Sequence, residues 1–228
     1  MSRVRVAGVR TAWTTVEDGE FFCPACGGDR NYELRTGRRR LTVLRVPLLP
    51  RGTTGPTVVC SSCEGHFEPS ALQQPTTTQL GSLLRDAVHA VALSVLGAGG
   101  AGSRTARDAA VGWLRNSGFA SCDEEQLLTL LAALDADRAE PEHITERRAA
   151  PYATGLTSER ELRAVLAPLA PHLESGGREG LLLEGACIAL ADGPYEDAEL
   201  AVLAVVGDAL RIPAEDVDRL LAAAPERS

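Results

Sequence analysis

Two short stretches determine how the N-terminal part of this chain folds: Cys23-Pro-Ala-Cys26-Gly27-Gly28 and Cys60-Ser-Ser-Cys63-Glu64-Gly65. Each has two cysteines separated by two residues, and this spacing brings both thiols onto one side of a tight turn. Two such turns complete a tetrahedron of sulfur ligands around Zn²⁺. The glycines that follow leave room for backbone N–H groups to point at the sulfurs. We therefore predict a structural zinc site in which all four cysteines are ligands.

Other interpretations of these cysteines stay open at this point. A thioredoxin-like redox motif would use one of the pairs, but no βαβ pattern surrounds either pair. His66 could replace one cysteine as a ligand, whereas Cys122 and Cys187 are isolated and are interpreted as packing residues. Four protein ligands leave zinc no open position for a substrate, so the site is interpreted as a folding device.

The connection between the two pairs must have structure of its own, because 33 residues separate Cys26 from Cys60. Residue preferences predict strands at Asn31–Leu34, Leu41–Val46 and 57–59, with a turn at Thr36-Gly37. These elements form a small three-stranded zinc ribbon. Arg38-Arg39-Arg40 would then lie at a solvated hairpin tip, where it could also contact the phosphates of a nucleic acid.

Charge is distributed unevenly along the chain and predicts a domain boundary. Residues 1–75 carry a net charge of +3 and residues 76–228 a net charge of −11, which together give the total of −8. The sequence therefore predicts a zinc-ribbon domain at 1–75 and a helical domain at 76–228. A net +3 ribbon, reduced further by zinc-bound thiolates, argues against nucleic acid as a partner.

No stretch reaches the roughly 18 apolar residues that a membrane span requires, and the N-terminus lacks the apolar core of a secretory signal. Together with the paired cysteines, this predicts a cytoplasmic protein, and peripheral membrane association would occur through a partner. No nucleophile–base pair can be named, so the sequence predicts a protein that is not an enzyme.

The second part of the chain has the periodicity of helices, with apolar residues spaced three and four apart. Capping residues, glycines and prolines predict the ends of these helices. The capping boxes are Ser121–Glu124 and Ser158–Glu161. Seven helices are predicted, at 79–96, 103–116, 121–134, 158–169, 178–191, 196–210 and 214–223. The order of helices and turns in 87–134 recurs in 180–223, which predicts two three-helix units about a pseudo-twofold axis.

One segment, Ala189-Leu-Ala-Asp192-Gly-Pro-Tyr-Glu196-Asp-Ala-Glu199, resembles the acidic turn of the tellurite-resistance TerB-like domains. The resemblance spans residues 79–223, and the N-terminal cysteine pairs are similar to zinc ribbons that precede such domains. It implies an all-α, pseudo-twofold bundle, a link to metal-ion or oxyanion stress, and acidic turn residues that bind a metal.

The acidic turn offers two interpretations. Asp192, Glu196 and Glu199 could together supply the oxygen ligands that Ca²⁺ or Mg²⁺ prefers. Alternatively, Glu196 complements the dipole at the N-terminus of the next helix, where Gly193 and Pro194 form the turn. The first repeat retains only Asp108 near the place of Glu199, which argues against a symmetric two-sided site.

The leading functional hypothesis is a non-enzymatic, stress-associated binding module with a structural zinc ion, which acts with another protein. The alternative is a nucleic-acid-binding regulator that uses the ribbon and Arg38–Arg40.

Overall fold

The computed structural model describes residues 7–43, 46–139 and 159–224. Within these ranges an antiparallel sheet is followed by seven α-helices, which confirms a small β domain followed by helices. The chain divides into two compact units, Met1–Leu80 and Gly81–Ser228, which we call the β unit and the helical unit. The division falls after Leu80, within the first helix. The boundary predicted from the sequence lies after residue 75.

The β unit is one antiparallel sheet whose strands follow chain order. Its strands are β1 (Ala7–Cys23), β2 (Gly28–Val43), β3 (Val46–Cys60) and the short β4 (His66–Phe67). β1 turns into β2 at the first cysteine pair, and the second pair follows β3, so strand pairing brings the two pairs to the same end of the sheet.

Two details of the predicted ribbon are wrong. β1 was not predicted, although the β-branched and aromatic residues between Val9 and Phe22 are typical of a strand. The predicted turn at Thr36-Gly37 lies inside β2, where Gly37 pairs with Trp13 of β1 and Thr54 of β3. A Cβ on Gly37 would lie 2.6 Å from Thr11 Cγ2 and 3.1 Å from Trp13 Cζ3, so the glycine accommodates two side chains of β1 and makes no turn.

The two ends of this sheet differ in packing. We call residues 17–33 and 58–75 the cysteine end, and residues 7–16, 34–43 and 46–57 the basic arm. The buried core lies at the cysteine end and consists of Phe21, Cys23, Tyr32, Val58 and Cys60. The Phe21 ring meets Tyr32 edge to face, at 5.6 Å between centroids. In the basic arm, most side chains that the structure describes are exposed on both faces of the sheet.

Helix α1 (Thr77–Ala98) begins against the cysteine end. Thr76 and Gln79 form a reciprocal cap, because each side chain accepts a hydrogen bond from the backbone N–H of the other. Asp29, at the start of β2, accepts the Thr77 N–H at 2.9 Å and also the Thr77 hydroxyl. These hydrogen bonds lower the pKa of Asp29 and tie the sheet to the start of the helix.

The other six helices lie close to their predicted positions. They are α2 (Arg104–Asn116), α3 (Glu124–Ala139), α4 (Glu159–Leu166), α5 (Ser175–Leu190), α6 (Asp197–Ala209) and α7 (Ala214–Ala223). The cap of α3 is Asp123, which accepts the Gln126 N–H at 2.8 Å, and not the predicted Ser121. Ser158 and most of the predicted connection at 136–156 lie outside the described residues.

Helices α2 and α6 are alike in length and in the way they end. Each has 13 residues. After α2, Gly118 has a left-handed backbone, and the Phe119 N–H reaches the Leu114 carbonyl at 3.0 Å. After α6, Arg211 is left-handed, and the Ile212 N–H reaches the Gly207 carbonyl at 2.9 Å. Both ends are Schellman motifs, so corresponding helices of the two segments end identically.

The centre of the helical unit is apolar. A Cβ on Gly185 of α5 would lie 2.9 Å from Val91 of α1 and 3.2 Å from Leu203 of α6, so three helices approach closely there.

One stretch, Pro69–Ala98, is long and apolar enough to cross a membrane by length and composition, and 44% of its most apolar window is buried in the protein. The predicted absence of a membrane span stays a prediction.

Candidate metal centre

The first cysteine pair lies in the turn that connects β1 to β2. Cys23 is the last residue of β1, and the Gly27 N–H donates to the Cys23 carbonyl at 2.9 Å, which closes the turn. Gly27 has a φ of 66°, a left-handed conformation that glycine adopts without steric cost. The turn therefore folds Cys26 back beside Cys23.

The second pair repeats this turn after β3. The Glu64 N–H donates to the Cys60 carbonyl at 3.0 Å, and Glu64 has a φ of 55° in the place that Gly27 holds in the first turn. The Cys60 N–H donates to the Gly65 carbonyl at 3.0 Å. A Cβ on Gly65 would lie 3.1 Å from Cys63 Sγ and 3.0 Å from the Phe67 ring, so this glycine permits close packing around a ligand sulfur.

The four sulfur atoms converge on one point. All four Sγ atoms lie within 4.8 Å of one another, and Cys23 Sγ is 3.8 Å from Cys63 Sγ. Zn–S bonds of about 2.3 Å in a tetrahedron place the sulfurs about 3.8 Å apart. Among the residues that the structure describes, this is the one group of three or more His, Cys, Asp or Glu side chains with such spacing.

Burial and hydrogen bonding separate the acidities of these thiols. Burial raises the pKa of Cys60, but the backbone N–H groups of Cys63 and Ser62 and the thiols of Cys63 and Cys23 donate to its sulfur, and the pKa falls to about 7. Burial, together with hydrogen bonds to the other three thiols, raises the pKa of Cys26 to about 12. Cys60 therefore ionises before Cys26 and presents a thiolate to an approaching cation.

The donor set and its surroundings fit a structural zinc ion. Thiolates are ligands that Zn²⁺ binds strongly, and four of them fill a tetrahedral shell. Cys23 and Cys60 are fully buried in the aromatic core, so a bound ion would join both turns to that core. None of the six cysteines, all of which the structure describes, forms a disulfide, and His66 is exposed on β4.

The predicted acidic turn forms a helix cap. Glu196 is the N-cap residue of α6, and its backbone N–H donates to Glu199 Oε2 at 2.9 Å, which makes a capping box. Glu199 is only 2% exposed, and desolvation raises its pKa. A Cβ on Gly99 would lie 2.9 Å from Glu199 Oε1, so the carboxylate packs against the end of α1.

Asp192 is exposed in the turn before this cap. A Ca²⁺ or Mg²⁺ site formed by Asp192, Glu196 and Glu199 stays a prediction. The carboxylates have no counterparts at the start of α2. Ser103 is the N-cap residue of α2, as Glu196 is of α6, and the buried Ala106 lies three residues after its cap, as Glu199 does. The equivalent of Glu199 is therefore Ala106, and not Asp108.

The predicted basic cluster is not at a hairpin tip. Arg38, Arg39 and Arg40 lie within β2 and are exposed.

Comparison of the chain with protein-family models, with curated proteins and with solved structures found no match. The TerB-like resemblance therefore stays a prediction.

Proposed function

We propose that this protein is a non-catalytic binding module whose β unit is held together by a structural zinc ion. The convergence of four cysteine sulfurs within 4.8 Å is the observation that carries the proposal. A shell of four thiolates leaves the metal no position for a substrate, so its role is to stabilise the fold. Reduced thiols are typical of the cytoplasm, which is the compartment we propose.

For the helical unit we propose a TerB-like bundle of two related halves. The equal lengths of α2 and α6, and the Schellman motif at the end of each, support an internal repeat. We propose that this unit binds another protein in a response to metal or oxyanion stress, as the resemblance of residues 189–199 implies.

The zinc site is tested by metal analysis of the full chain purified without added metal. We expect about one zinc per chain. Cys23→Ser should lose the zinc, since three thiolates leave the shell incomplete. Cys122→Ser and Cys187→Ser are matched controls and should keep it, because neither residue belongs to the cluster. A folded protein that contains no zinc, or equal zinc loss in all three variants, would overturn the zinc proposal.

A further inference from the structure

We infer that the basic arm binds single-stranded nucleic acid, with Trp13 as the surface on which a base stacks. The first observation is a separation of charge that strand pairing creates. The basic arm (7–16, 34–43 and 46–57) contains six Arg and no Asp or Glu, whereas the cysteine end (17–33 and 58–75) contains seven acidic residues and one Arg. The arm thus carries a net charge of +6 and the cysteine end a net charge of −6, and the net +3 of residues 1–75 is completed by Arg3, Arg5 and Arg45, which lie outside both parts.

The arm places an aromatic ring among these arginines. Trp13 pairs with Gly37. Arg39 pairs with the residue two positions before Trp13 on β1, and Arg35 pairs with the residue two positions after it. The side chains of Trp13, Arg35 and Arg39 therefore belong to one face of the sheet. The ring of Trp13 approaches Gly37 so closely that Cζ3 would lie 3.1 Å from a Cβ at that position. Trp13 is 45% exposed. One arginine therefore lies on each side of an open indole.

The charges of the arm are free to bind an anion. Arg39 lies on the face of Trp13, whereas Arg38 and Arg40 lie on the opposite face. All three are exposed, and none has an ion pair or side-chain hydrogen bond within the part of the chain that the structure describes. Arg35 differs, because it binds Glu33 at 2.8 Å. Burial of a core does not explain this composition, since the hydrophobic core lies at the cysteine end.

Single-stranded nucleic acid is the partner that uses both features. Its phosphates would pair with the arginines, and an unpaired base would stack on Trp13, which a base inside a duplex cannot do. Nine residues of β1 pair with β2 between Ala7 and Thr15, a length of about 30 Å that accommodates several nucleotides. An anionic membrane is a poorer match, because the described apolar side chains most exposed on the arm are only Trp13 and Val16.

Binding is tested with the zinc-loaded full chain and labelled oligothymidylate or oligouridylate of about 16 nucleotides, by fluorescence anisotropy between about 50 and 200 mM salt. We expect affinity to fall steeply with salt. Replacing Arg38, Arg39 and Arg40 by Gln should weaken binding more than about tenfold and reduce the log–log salt slope by about 2. The two oligonucleotides distinguish DNA from RNA, and either one supports the inference.

A matched control removes the same charge elsewhere. Arg85, Arg104 and Arg160 are exposed on helices, and their replacement by Gln should leave affinity and slope nearly unchanged. Trp13→Ala should weaken binding at least about fivefold through loss of stacking. In a Trp113→Phe background Trp13 is the only tryptophan, so its quenching by the oligonucleotide reports stacking directly.

Four results would overturn the inference. They are no binding at low salt, tighter binding of a duplex of the same length, equal loss in both triple variants, and binding to phosphatidylserine vesicles with no binding to either oligonucleotide. Zinc content is measured on the same samples, so that failure to bind nucleic acid can be distinguished from failure to bind zinc. The arm variants retain all four cysteines and should keep their zinc.

Discussion

The cysteine end and the basic arm are built from the same three long strands, but different interactions stabilise them. The cysteine end has a buried aromatic core and four convergent thiols. The arm has exposed side chains on both faces, and its Arg38, Arg39 and Arg40 have no acidic partner among the described residues. Backbone pairing runs through both parts. The difference teaches that a buried core with convergent thiols at one end leaves the sequence of the other end free of packing constraints, so that exposed charges can accumulate there.

Metal removal should have the largest effect on this comparison. Structural zinc contributes about 10–16 kcal/mol of apparent binding free energy in small domains, more than the short core of the β unit can replace. We expect a chelator to expose the backbone amides of β1, β2 and β3 to hydrogen exchange throughout their length, arm included. The amides of α5 and α6 should keep their protection.

The control for this experiment is the same chain with zinc restored, which should recover strand protection. If the chelator leaves the strands protected, the arm and the cysteine end do not depend on metal. If it exposes α5 and α6 equally, the two units do not unfold separately.

The pH dependence of zinc affinity comes next in size. Zinc displaces the thiol protons, so its affinity rises with pH. When all four cysteines are protonated, a plot of the logarithm of the binding constant against pH has a slope of up to four. The Cys60 pKa of about 7 means that this thiol is already ionised above neutrality in the folded cluster. We therefore expect a slope near four below pH 7 that falls toward three above it.

Competition with a chromophoric chelator across that range measures the slope. A slope that stays near four through pH 7 and then falls toward zero above about pH 8.5 would show that the metal-free cysteines have ordinary pKa values of about 8.5, as in an unfolded chain. The cluster would then form only with the metal.

Truncation of one aromatic residue at each end compares the two parts directly. Phe21 is 1% exposed and contacts Tyr32 and Phe67, so Phe21→Ala should destabilise the β unit by about 3–5 kcal/mol. Trp13 is 45% exposed and lies outside the buried core, so Trp13→Ala should cost about 1 kcal/mol or less. The midpoint of zinc release in urea reports both, and equal losses would contradict the division between core and arm.

Local sequence signals predicted those parts of the molecule that depend on local interactions. The cysteine spacing predicted the four thiols that the structure brings together, and apolar periodicity with caps placed α7 at its observed bounds, Ala214–Ala223. The strands were harder, because Gly37 is typical of a turn. Its actual role, room for Thr11 and Trp13, depends on residues that lie more than 20 positions earlier in the chain. The charge separation was missed for the same reason, since only strand register joins 7–16 to 34–57.

The smallest expected effect concerns the two cysteine turns. Gly27 and Glu64 both have a left-handed backbone, but a residue with a Cβ adopts it at a cost of about 1–2 kcal/mol. Glycine also loses more entropy on folding, which offsets part of the gain. Glu64→Gly should therefore raise stability by about 0.5–1 kcal/mol, measured as the urea midpoint of zinc release.

Glu64→Ala is the matched control, because alanine keeps the Cβ and should bring no gain. The same comparison exists in the helical unit, where Arg211 holds the left-handed position that Gly118 holds after α2. Arg211→Gly should stabilise the end of α6 similarly and leave zinc release unchanged. Equal gains from Glu64→Ala and Glu64→Gly would instead assign the effect to removal of an acidic side chain beside the thiolates.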